Sequence, residues 1–140
     1  MKTEDSDNGA CIVALVSPYL TNPALLEQLL TDGGYHAVLD SLNDTIFRFV
    51  YDELPALVLL NVASAVDADA LRLLKLLRLN QRTRQIPTIV RTADLHQLRR
   101  RVERLGLRWC RLLHQSCTEA ELLAAIREAI DSRAGKRGPL

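Results

Sequence analysis

Residues 55–74, PALVLLNVASAVDADALRLL, decide how the rest of the chain reads. An apolar run, LVLLN at 57–61, opens after a proline and stops on one polar residue, Asn61. A short loop follows, and Asp67 then starts a helix with leucines at 71, 73, 74, 76, 77 and 79. A strand that is apolar at successive positions has both faces covered, as a central strand of a parallel sheet must. Strand, loop and helix in that order make one unit of a parallel α/β architecture. Six leucines in nine positions exceed a single apolar stripe, so part of this helix is expected to pack beyond the sheet it covers.

The same unit recurs on either side. CIVALV at 11–16 reads as the first strand. The run TNPALLEQLLTDGG then supplies a capping Asn22, Pro23 at the first helical position, leucines at 25, 26, 29 and 30, and Gly33–Gly34 as the stop. YHAVL at 35–39 is a second strand, and NDTIFRFVYDEL at 43–54 a short helix ended by Pro55. After the polar connection QRTRQIP comes a fourth strand, TIVRTA at 88–93. Asp94 caps the helix LHQLRRRVERL, which Gly106 ends in a left-handed conformation. WCRLL at 109–113 is the fifth strand, and Thr118 with Glu121 forms a capping box before apolar positions 122, 123, 126 and 130.

Five such units with right-handed crossovers wind both faces of one open sheet. The expected fold is α/β and flavodoxin-like: a (βα)5 doubly wound parallel five-stranded sheet of order 2-1-3-4-5. Ligands in such sheets gather at the carboxyl ends of strands one and three, here Val16–Ser17 and Asn61. The expected boundaries are a disordered segment at 1–10, one domain at 11–131 and a frayed or disordered tail at 132–140.

Composition agrees with one soluble globular domain: 140 residues, 48% hydrophobic and 25% charged. The N-terminus, MKTEDSDNGA, is acidic where a secretory signal would be basic and then apolar. Apolar runs are strand-length, well short of the ~20 residues of a membrane span. A cytoplasmic protein without membrane contact is expected. Cys11, Cys110 and Cys117 have neither CxxC spacing nor an even count, and read as free, structural thiols. His36 sits on a short strand and His96 on a charged helix, without a second histidine at metal-ligand spacing. Ser17 lacks the G-x-S-x-G setting of a hydrolase nucleophile. No cofactor, metal or enzymatic activity is expected.

From about Cys11 to Ile130 the chain resembles the receiver domains of bacterial two-component response regulators. The resemblance is carried by GGYHAVLDSLNDTI, PALVLLN, RTRQIPTIVRTAD, LGLRWCRLL and TEAELLAAI. Such domains have an acidic pair after strand one that holds magnesium, a phosphoacceptor aspartate after strand three, a Thr or Ser after strand four and a Lys after strand five. The resemblance implies that the acidic pair falls among Leu15, Val16 and Ser17, the phosphoacceptor on Asn61 and the hydroxyl on Thr92. The lysine falls on His114 or Gln115, and the aromatic position before it on Arg111 or Leu112. None of the acidic or lysine positions keeps its charge. An amide is neither an adequate nucleophile nor a charged metal ligand. The expectation is a degenerate pseudo-receiver, a phosphorylation-independent signalling module acting through protein–protein contact.

Residue by residue, blander readings stand beside this one. Thr92 reads as a strand-end hydroxyl bonded to nearby backbone, and His114 as a polar residue at the mouth of the sheet. Charge is uneven: residues 1–69 carry 2 basic and 11 acidic side chains, net −9, and residues 70–140 carry 16 and 6, net +10, which together give the chain's +1. The basic side chains gather on helix three and its exit (Arg72, Lys75, Arg78, Arg82, Arg84) and on helix four (Arg99, Arg100, Arg101, Arg104). Arg99, Arg100, Arg104 and Arg111 are the candidate interaction face, for a protein partner in a signalling pathway or for a second copy in a homodimer. The alternative is an anion, cyclic dinucleotide or nucleic-acid binder that uses the arginine-rich face on helices three and four. An aromatic content of 4% offers few stacking platforms and ranks it second.

Overall fold

The computed structural model describes residues 11–16, 23–41, 45–62, 68–106 and 110–137. Strands and helices alternate along them: β1 (Cys11–Val16), α1 (Pro23–Asp32), β2 (His36–Ser41), α2 (Ile46–Glu53), β3 (Leu57–Val62), α3 (Ala68–Leu79), β4 (Thr88–Thr92), α4 (Leu95–Arg104), β5 (Arg111–His114) and α5 (Glu119–Arg137). The strands form one sheet of order β2-β1-β3-β4-β5, with every neighbouring pair parallel. Among the described residues, no helix is long and apolar enough to cross a membrane.

β3 is buried at all six positions, and its alternation feeds two cores. Val58, Leu60 and Val62 face α2, α3 and α4, where they pack with Ile46, Leu74 and Leu98. Leu57 and Leu59 face the other way, toward Leu26 and Leu30 of α1 and Leu122 and Ile126 of α5. A sheet covered on both sides in this way explains why β3 carries no polar position before Asn61.

Helix ends follow local chemistry. Gly34, at φ 92°, ends α1, and the Tyr35 N–H reaches back to the Leu30 carbonyl at 2.9 Å. Gly106, at φ 74°, does the same service after α4. Asp94 caps α4 by accepting the Gln97 N–H at 3.3 Å. Beyond α3, the buried Thr83 donates its hydroxyl to the Leu77 carbonyl at 2.7 Å, closing a helix end that has no glycine.

Three local expectations shift. α5 continues to Arg137, so the helix crosses the boundary expected after residue 131. Extending a formed helix by one residue needs no new nucleus, and only Gly135 in SRAGKR opposes it. β5 is Arg111–His114 instead of 109–113, and Trp109 lies outside the described residues. β4 stops at Thr92, because Asp94 takes its capping position two residues later. The 1–10 segment also lies outside the described residues.

The leucine excess of α3 resolves into two groups. Leu71, Leu73, Leu74 and Leu77 are buried, whereas Leu76 and Leu79 stay 41% and 76% exposed. The unused leucines therefore face solvent beside Arg72, Lys75 and Arg78, which are exposed as well.

Candidate functional site at the carboxyl edge of the sheet

The sheet's carboxyl edge is assembled by strand register. Asn61 pairs with Arg91 and Val62 with Thr92 across β3 and β4; Arg91 pairs with Leu113 and Thr92 with His114 across β4 and β5. Val16 ends β1 opposite Ser41 of β2. Ser17 lies outside the described residues.

Paired residues of parallel strands point to the same side, and successive residues to opposite sides. Asn61 and Arg91 therefore share the α1 and α5 side, above Leu57, Leu59 and Ile89. Thr92 and His114 share the opposite side, with Val90 and Leu112. Asn61, Thr92 and His114, singled out from sequence, thus converge on one edge but divide between its two faces.

Of the two residues weighed for the position after strand five, His114 stands in register with Thr92. Gln115 is one step further along and is held by its backbone, whose N–H donates to the Thr92 carbonyl at 2.9 Å. The His114 ring is folded onto its own turn: the Ser116 N–H donates to Nδ1 at 3.1 Å, and the Ser116 hydroxyl lies 2.8 Å from the same nitrogen. Thr92 is fully buried, and its Oγ1 accepts the Asp94 N–H at 3.2 Å, the backbone-bonded role expected for it.

Arg91 was not among the residues the sequence pattern selected. It stands inside TIVRT, a strand otherwise buried, and a charge in a covered strand is the signal that marks it. Its Nη2 donates to the Gln115 carbonyl at 3.1 Å, while its Nε is enclosed and lacks a hydrogen-bond partner. The β5–α5 turn is thereby tied to β4 twice, through the Gln115 N–H and through its carbonyl.

Magnesium prefers near-octahedral oxygen ligation, with one or two carboxylates among its ligands. The described part of this edge offers an amide, a hydroxyl and a guanidinium, and the Asp94 carboxylate is used at the start of α4. Among the described residues, no three His, Cys, Asp or Glu side chains cluster as a metal site. A fixed cation in register with Asn61 opposes a divalent cation there, so this donor set does not fit the metal.

The fold has clear relatives among solved structures. A sensor protein from Polaromonas sp. superposes with a TM-score of 0.74 at 19% identity, over 87% of this chain and 97% of its own. The signal receiver domain of a signal transduction histidine kinase from Syntrophus aciditrophicus gives 0.70 at 20% identity, over 86% and 90%. The receiver domain of a sensor histidine kinase from Pseudomonas aeruginosa, with a magnesium ion coordinated in its active site cleft, gives 0.66 at 21% identity, over 88% and 98%. No protein-family model and no curated protein matches the chain. The likeness is one of fold, and the fold is that of a receiver domain.

Proposed function

We propose that the chain is a receiver-fold signalling module that works without phosphorylation, as a non-enzymatic pseudo-receiver that contacts a protein partner. The observation that carries this reading is the pair Asn61 and Arg91, in register at the end of β3 and β4. A receiver needs a carboxylate nucleophile and a bound magnesium at that point. This chain offers a neutral amide beside a fixed positive charge.

The partner surface follows from what is left unpaired. Arg99, Arg100 and Arg104 are exposed on α4, and no ion pair among the described residues involves them. Arg111 is committed: its Nη1 meets the Glu128 carboxylate of α5 at 2.7 Å. Arg82 is committed too, stacked 4.9 Å from the Tyr51 ring centroid and bonded to the Tyr51 carbonyl at 2.7 Å. The surface on offer to an acidic partner is therefore α4, with Arg111 serving to join β5 to α5.

Incubation with acetyl phosphate and magnesium, followed by intact mass spectrometry, tests the reading. The expected mass is unchanged. A stoichiometric, base-labile gain of one phosphoryl group overturns it.

A further inference from the structure

We propose that the carboxyl edge of the sheet binds a small oxyanion, a phosphate or a carboxylate, on the guanidinium of Arg91. The inference rests on the reading of this edge as one without a phosphoacceptor, and names what the edge takes in its place.

Arg91 cannot shed its proton, so its charge is permanent. The side chain is half-buried, and one neutral carbonyl, that of Gln115, is its hydrogen-bond partner. Its Nε is the one enclosed side-chain nitrogen or oxygen without a partner among the described residues. No carboxylate among those residues pairs with it. Enclosing a donor without an acceptor costs stability, and an oxyanion that accepts from the Nε–H while meeting the half-exposed charge removes that cost.

The neighbouring strand explains why no described residue supplies a counter-ion. Asn61 stands in register with Arg91 on the same side of the sheet, about 5 Å away by the spacing of adjacent strands. An aspartate there would neutralise the guanidinium internally, and the amide leaves it available. The planar fork of a guanidinium matches two oxygens of a carboxylate or phosphate. The half-exposed side chain leaves the guanidinium within reach of a ligand, and a side-chain rotation that opens the enclosed Nε–H would bring it to the same ligand. The edge that holds a cation in a receiver is in this way converted to one that holds an anion.

The test titrates inorganic phosphate and, separately, acetate into the full chain at constant ionic strength, followed by backbone amide chemical shifts. Saturable shifts centred on Asn61, Arg91 and Gln115 are expected. Saturation by phosphate alone assigns a phosphoryl ligand, and saturation by acetate alone a carboxylate. Arg91→Gln is expected to weaken binding at least tenfold. Asn61→Asp is expected to weaken it equally, because the new carboxylate occupies the guanidinium; this variant also decides the matter if Arg91→Gln does not fold. The triple change Arg99→Glu, Arg100→Glu, Arg104→Glu is expected to leave the affinity unchanged. No saturable shift in the wild type overturns the proposal, as does wild-type affinity in Asn61→Asp or loss of binding in the α4 triple variant. A chain that takes up no phosphoryl group and binds no anion loses this proposal alone, whereas a phosphorylated chain loses the reading of the edge itself.

Discussion

At Leu54 the backbone sits at φ 49° and ψ 61°, a left-handed conformation that a leucine adopts at a cost of about 1–2 kcal/mol. Pro55 disfavours the helical conformation at residue 54, and the chain must turn there to enter β3, so the strain falls on Leu54. Leu54→Gly should therefore stabilise the protein by up to about 1 kcal/mol in urea unfolding, less whatever this half-exposed side chain contributes by packing. A second residue-scale effect concerns Cys110, whose burial pushes its thiol pKa up to about 11. A raised folded-state pKa gives stability that is full below the unfolded value near 9 and is lost as pH rises toward 11. The stability lost over that window should be on the order of 2 kcal/mol, and Cys110→Ala should flatten that part of the curve. The two residues that define the edge differed in legibility. Asn61 announces itself as the polar stop of an apolar strand. Arg91 does not, because a lone arginine in a strand means little until register puts it beside Asn61 and enclosure leaves its Nε without a hydrogen-bond partner.

Elements closed by short-range chemistry were the ones readable from sequence. The capping box at α5 is reciprocal: the Thr118 N–H donates to Glu121 Oε1 at 2.8 Å, and the Glu121 N–H to Thr118 Oγ1 at 3.0 Å. Thr118→Ala should cost about 1 kcal/mol in thermal or urea unfolding, with Thr118→Ser recovering most of it. The glycine stops and the Asp94 cap were legible for the same reason, since each is decided within four residues. β5 was not. It is a four-residue edge strand with its two ends exposed, so no strong alternation marks it, and its position is fixed by pairing with β4. The reach of α5 to Arg137 was missed because a run with one glycine and no apolar periodicity looks like a tail, although helix already formed before it propagates through.

On the scale of the whole molecule, strand order turns a sequence asymmetry into a spatial one. Residues 1–69 supply β1, β2 and β3 and residues 70–140 supply β4 and β5, so among the described residues the acidic Glu27, Asp32 and Asp40 belong to the β2 side of the sheet and the basic Arg99, Arg100 and Arg104 to the β5 side. Such a field steers an acidic partner toward the α4 side and weakens with salt over about 8–10 Å. Reversing Arg99, Arg100 and Arg104 to Glu should therefore abolish capture of an acidic partner while the far-ultraviolet circular dichroism spectrum stays native. Each reversal should cost under about 1 kcal/mol of stability, because exposed helix charges contribute little. Arg104 should be the costliest of the three, since it lies in the last turn of α4, where a cation complements the helix dipole. Pull-downs at low and high salt, with wild type and the triple variant, read the result: partners that persist through both changes place the contact away from α4. The exposed Leu76 and Leu79 of α3 are then the next surface to alter, because apolar contact is not screened and charge reversal on a neighbouring helix leaves it standing.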